Sequence, residues 1–298
     1  MFQMGQISFV FFSLCLQVLF CADAFAQTEL KLRFQSGQPL NYLIKQDVTT
    51  EMTVGTNNIT SKMNQQTHMQ WSPKQRTANG GYLMDQVIRR IQLQMTLPPP
   101  VNQKIAYDTA NPQPIAGPLG GMTSQFDDMI DAPCQLEMSP TGVITNVQFS
   151  PKFDQAAQNT ANAASLGGTD KVRQLIEQGS IPLPQAPVKI GDQWQRTLSV
   201  PAKFGTLQTL LTYTYRGVDS TGLDRIEVQS MVRVIPAPDA IAEVQITQSN
   251  GTGYLLFDNK AGYLKQSVLK KVVGMSITAG GQNVLQTVTT NVVMTYQN

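Results

Sequence analysis

Two-residue alternation runs through this chain so consistently that any fold it adopts must give its strands one dry face and one wet face. Leu30, Leu32 and Phe34 alternate with Lys31, Arg33 and Gln35. Met63, Met69 and Trp71 oppose Lys62, Asn64, Gln66 and His68, and Ile91, Leu93, Met95 and Leu97 oppose Arg90, Gln92, Gln94 and Thr96. Later, Leu207, Leu211, Tyr213 and Tyr215 share a side, as do Ile226, Val228, Val232 and Val234, and finally Val288, Val292, Met294 and Tyr296. Turn signals at Gly80-Gly81, Ser220-Thr221-Gly222, Asn250-Gly251 and Gly280-Gly281 separate these stretches.

The plan is written twice. Gly37, Gln38 and Tyr42 open one half, and Gly191, Asp192, Gln193 and Trp194 open the other. Each opening leads through a long alternating strand to a Gly-marked turn. Each half closes on a polar turn into an apolar pair, at Gly142-Val143-Ile144 and at Gly262-Tyr263-Leu264. The expected fold is all-β or β-dominated, with duplicated antiparallel units forming one curved sheet or two packed lobes, plus one helical insert. Residues 27–150 make the first unit, 151–187 a helical insert and Pro-rich linker, and 188–298 the second unit. Within the insert, Thr169 is suited to an N-cap, Val172, Leu175 and Ile176 form an apolar stripe, and Gly179 terminates it. In a curved sheet the insert would cover the concave apolar face. Residues 98–121, with Pro98-Pro99-Pro100, Pro112, Pro114 and Pro118, are expected as an exposed loop, and Phe126 to Asp131 as a helical turn.

Residues 1–26 have the form of a signal peptide. An apolar run through Phe9 to Phe12 and Val18 to Phe20 precedes Ala24-Phe25-Ala26, a small-x-small cleavage site. Cleavage after Ala26 would place the protein in the periplasm or outside the cell. Phe20 is too large for the position before a lipidated Cys21, so no lipid anchor is expected there. No later segment approaches the roughly 20 apolar residues of a membrane-spanning helix. Two of the three Cys leave with the signal, so Cys134 stands alone, without a disulfide partner and expected to be buried.

Charge excludes one partner class. Lys and Arg number 22 against 20 Asp and Glu, dispersed rather than clustered, whereas a nucleic-acid surface gathers its cations. His68 is the only histidine, so any Ser-His-Asp triad or multi-His zinc site would have to run through it. Its place in the alternation points it to water. Gly-x-Ser-x-Gly and His-Glu-x-x-His are both absent. Asp127, Asp128 and Asp131 lack the spacing of a calcium loop and are expected as a solvated face. No catalytic residue, metal ligand or cofactor motif is assigned.

The sharpest local signature is Pro187-Val188-Lys189-Ile190-Gly191-Asp192-Gln193-Trp194. Gly191 suits a turn, Asp192 a bond to nearby backbone N–H groups, and Trp194 a strand opening into the core, so the motif is expected to be structural. With Tyr107-Asp108-Thr109 and the late Phe257-Asp258 to Gly262 step, it resembles an uncharacterised family of bacterial exported proteins, a domain of unknown function. The resemblance implies no activity and supplies no catalytic residues. Two functions follow from the residues. The first is an exported non-catalytic protein of the cell envelope that binds an apolar ligand, lipid or protein partner, favoured by Met residues on dry faces. The second is a carboxylate-dependent envelope hydrolase, which requires two facing carboxyls in one cleft. A purely structural envelope component would show neither feature.

Overall fold

A computed structural model describes residues 27–99, 102–115, 118–155, 173, 176, 180–202, 204–240 and 242–298. The stretch read as a signal peptide and most of the expected helical insert lie outside these. The described chain forms twelve antiparallel strands in one open, curved sheet. In chain order they are β1 (Leu40–Val54), β2 (Asn57–Arg76), β3 (Tyr82–Thr96), β4 (Lys104–Asp108), β5 (Cys134–Met138), β6 (Ile144–Phe149), β7 (Gln193–Ala202), β8 (Gly205–Val218), β9 (Asp224–Pro236), β10 (Glu243–Asp258), β11 (Tyr263–Ala279) and β12 (Gln282–Gln297). One helix of more than two turns, α1 (Pro118–Met129), is inserted between β4 and β5.

The spatial order is β6-β5-β3-β2-β1-β12-β11-β10-β9-β8-β7, with β4 added along β3. Each half is thus an antiparallel meander, and the two join through β1 and β12, paired from Asn41↔Gln297 to Val54↔Val284. Of the two arrangements left open by the sequence, this is the single sheet. The excursion through β4 and α1 belongs to the first half only.

Alternation fixes the faces. Ile44 lies opposite Thr67 and Met294, and Val48 opposite Met63 and Thr290, so the apolar positions of adjacent strands stand on one side. Residues from strands near both edges, Ile144 on β6 and Tyr213 on β8, belong to the same buried cluster. That side is therefore the inside of the curve. The outer face carries Lys45, Asp47, Glu51, Lys62 and Asn64, all exposed.

Leu30, Leu32 and Phe34 are buried as the alternation requires, but they do not form a strand of the sheet. The segment runs inside the closed end of the curve. Its backbone is satisfied by scattered partners: Arg33 N donates to Gly262 O at 3.0 Å, Tyr82 Oη donates to Leu32 O at 2.9 Å, and Thr28 exchanges two bonds with Val188. Residues 98–121 also depart from expectation. Ile105 and Tyr107, at 6% and 5% exposure, make β4 a short alternating strand, and α1 begins at Pro118 despite Gly120 and Gly121. Proline at the first helical turn costs little because its missing N–H would be unpaired there anyway.

Gly262 is where the inner segment meets the sheet. Its φ is +77°, and a Cβ there would lie 2.3 Å from both the N and the Cβ of Arg33. Gly280, in the β11–β12 turn, also has positive φ but open space around it. Gly262→Ala is expected to lower unfolding free energy by about 2 kcal/mol or more, and Gly280→Ala by about 1 kcal/mol, in urea titrations followed by circular dichroism. Equal losses at the two sites would show that the Arg33 contact contributes nothing.

Candidate functional site

The closed end of the sheet is built from aromatic side chains whose polar tips hold the segments crossing it. Tyr42, only 2% exposed, donates to Leu264 O at 3.1 Å. Tyr215 donates at 2.6 Å to Asp224 Oδ1 and accepts from Thr28 Oγ1 at 3.1 Å. Trp194 Nε1 donates to Pro182 O at 2.9 Å while its ring stacks on Tyr213, centroids 5.6 Å apart. Arg196 reaches Ser180 O and Oγ. In this way residues 28–34 and 180–188 are tethered inside the concavity without joining the ladder.

Between these segments and the sheet lies a partly open cavity of about 240 Å³. Leu32 and Phe34 bound it on one side, Ile44, Met69 and Trp71 on another, and Leu255, Phe257 and Met294 on a third. Ile176, a described residue of the insert, lines it too. Its polar lining groups are few. Gln86 Oε1 accepts from Trp71 Nε1 at 3.1 Å, and Ser180 is held by Arg196. The volume exceeds the roughly 150 Å³ of an engineered apolar cavity that stays dry and takes up benzene.

The concave face continues beyond this cavity. A second hollow of about 340 Å³ lies at the far end of β1 to β3, lined by Val48, Met52, Ile59, Met63, Met95 and Leu97. Between the two run half-buried Val292 and Val288 of β12, and Leu269 of β11. The seventeen residues of β11 extend about 55 Å at 3.3 Å per residue, while the described inner segments fill one end.

Burial sets the protonation of the site. It pushes the Tyr213 hydroxyl up to about 12 and the Cys134 thiol, 3% exposed, also up to about 12. It raises Tyr42 still further, with Tyr263 and Tyr296 adding to the shift. The Arg90 guanidinium, paired side-on with Asp108, holds that carboxyl well below the usual range.

The residues singled out in the sequence are dispersed. Gly191 makes a turn at φ +95°, and Asp192 Oδ2 accepts from Lys189 N at 2.8 Å. Trp194 enters the core, so the motif ties the start of β7 to the linker and does not line the cavity. His68 stands on the outer face opposite Leu43. Asp127 accepts from Tyr107, and Asp131 pairs with Arg89. Among the described residues no three His, Cys, Asp or Glu converge, and neither apolar hollow has a carboxylate in its lining. Missed in the sequence were Gln86 and the paired hollows. The dry-face methionines Met63, Met69 and Met294 were their visible trace.

A sequence model of a family of unknown function (DUF6263) matches residues 79–264. No curated protein matches the chain. Among solved structures, one of lipovitellin, concerned with lipid–protein interactions, aligns over 89% of this chain at a TM-score of 0.50 and 14% identity. This chain spans only 26% of that one, and the likeness is one of fold. An outer membrane channel from Pseudomonas putida F1 aligns over 89% of this chain at 7% identity, with a TM-score of 0.27 that carries no argument.

The buried phenols give a pH dependence of defined sign. A raised folded pKa favours the neutral form, so its stabilisation is complete below the unfolded value of 10.0 and is lost as pH rises toward 12. Unfolding free energy is therefore expected to fall above pH 10, Tyr213 contributing up to about 1.4 kcal/mol per pH unit. Tyr213→Phe should flatten that fall when urea midpoints are compared from pH 8 to 11.5. An unchanged slope would remove Tyr213 from the account.

Proposed function

The chain belongs to the family of unknown function DUF6263, which assigns no reaction, and we propose from its geometry that it binds an apolar, lipid-like ligand non-catalytically on the concave face of its sheet. The observation that carries this reading is the mismatch between the dry face and what covers it. Apolar surface left in water costs about 25 cal/mol per Å², and the described inner segments cover only the closed end. A half-buried apolar face of this length, flanked by polar residues, marks a binding site. The cavity at one end and the hollow at the other lie on the same face, joined by half-buried valines and Leu269.

The fold shared with lipovitellin, a protein described through its lipid interactions, supports lipid as the ligand class. Residues 1–26, read as a signal peptide, support a place outside the cytoplasm, where a lipid carrier or receptor of the envelope would act. The hydrolase reading finds no facing carboxyl pair in either hollow. The Gly191-Asp192-Trp194 turn serves the scaffold in this account.

Native mass spectrometry of the protein purified from its own host is expected to show lipid-sized adducts. Met63→Glu and Val288→Glu, on the concave face, should reduce retention by about tenfold or more, equivalent to about 1.4 kcal/mol. Thr49→Glu and Thr289→Glu, paired with each other on the outer face, should change it by less than about twofold. Equal losses on both faces, or a ligand-free wild type that takes up no added lipid, would overturn the proposal.

A further inference from the structure

One row across the concave face places a lysine beside small polar residues and glycine. Reading across the sheet, Ser230 of β9 lies opposite Gly251 of β10, Gly251 opposite Lys271 of β11, Lys271 opposite Thr290 of β12, and Thr290 opposite Val48 of β1. Gly251 is required there: a Cβ would fall 1.8 Å from Ser230 Oγ, so the hydroxyl occupies the space over the glycine. Ser230 is 3% exposed, and its hydroxyl has no hydrogen-bond partner among the described residues. An unpaired buried hydroxyl is destabilising and calls for a reason.

Lys271 is the second anomaly. It is half-buried on the dry face and makes no ion pair or hydrogen bond among the described residues. The same-face neighbours on the flanking strands are Ser249, Gly251 and Gly253 on one side and Val288, Thr290 and Val292 on the other, none of them acidic. Burial accordingly lowers its pKa, with no opposing carboxylate. A cation held in an apolar surface without a partner is disfavoured unless something else supplies the negative charge.

Resting on the lipid-binding reading, we infer that Lys271 and Ser230 form the head-group site for an amphiphile whose anionic oxygens they receive while its tail lies along the concave face. The two backbones stand two strands apart, about 10 Å at 4.8 Å per strand. The flexible stem of Lys271 and a single anionic head bridge that gap. Lys271 supplies the charge, and the Ser230 hydroxyl supplies a donor that has no other acceptor among the described residues. The cavity-lining Met294 lies four residues along β12 from Thr290, about 13 Å away, so a tail leaving this row toward the closed end meets Val292, then Met294 and Leu255.

Isothermal titration with decyl phosphate, decanol and inorganic phosphate tests the assignment. Wild type is expected to bind decyl phosphate roughly tenfold more tightly than decanol, and inorganic phosphate far more weakly than either. Lys271→Met should bring decyl phosphate to within about twofold of decanol, leave decanol binding intact and raise the urea midpoint by removing an unpaired buried cation. Ser230→Ala should weaken decyl phosphate about threefold and decanol not at all. Decanol binding with no preference for the phosphate, or a preference that survives Lys271→Met, would overturn the head-group site while leaving the apolar-ligand reading standing. Inorganic phosphate binding as tightly as decyl phosphate would overturn it in favour of a simple anion site, and binding of neither decyl compound would overturn both readings.

Discussion

Every feature of this protein depends on the register of one uninterrupted antiparallel ladder. With a side-chain period of two, a slip of a single residue between any two strands would turn a whole row of dry side chains to water. Because the register holds from β6 to β7, both halves contribute their apolar rows to the same concave surface. The bulges at Thr247 of β10 and Lys265 of β11 bend that surface without transposing its faces. The outcome is a sheet whose inner face is longer than the core that the described residues place in it.

The closed end shows how a chain can occupy its own concavity without spending strands on it. Tyr82, Tyr215 and Trp194 present apolar rings to the core and bond through their polar tips to segments running past, Tyr82 and Trp194 donating to Leu32 O and Pro182 O and Tyr215 accepting from Thr28 Oγ1. Tyr82 and Trp194 satisfy carbonyls that a ladder would otherwise have satisfied. The inner segment is thereby fixed at points along its length, and the cavity survives between the points.

The strands and their faces were legible because alternation reports which side of a residue is dry. Ile91, Leu93 and Met95 on one face, with Gln92 and Gln94 on the other, needed no further information. Alternation says nothing about hydrogen-bond partners, which is why Leu30 to Phe34 read as a strand although its partners are a turn carbonyl and a tyrosine hydroxyl. In residues 98–121 the prolines outweighed the three-residue alternation of Ile105, Ala106 and Tyr107, and the glycines argued against the helix α1, whose last turn is tied down by the Tyr107–Asp127 bond and the packing of Met129 on Phe153. Lys271 stayed hidden for a different reason. In Val268-Leu269-Lys270-Lys271-Val272-Val273 the period stutters, and only the pairing with Gly251 and Thr290 shows that Lys271 faces inward and Lys270 outward. The Ser230 hydroxyl leaves no trace in the sequence at all, since its isolation is a property of its neighbours across the sheet.

The seam between β1 and β12 joins residues some 240 positions apart, and it carries a temporal consequence. While the polypeptide emerges from the ribosome, β1 has β2 on one flank and bare N–H and C=O groups on the other until synthesis has passed Gln297. A nascent chain of this design must keep that greasy, half-zipped margin away from other molecules for most of its production. Contacts of such long sequence separation are also the slowest to form, so assembly of the finished sheet should be limited by the moment its first and last strands find each other.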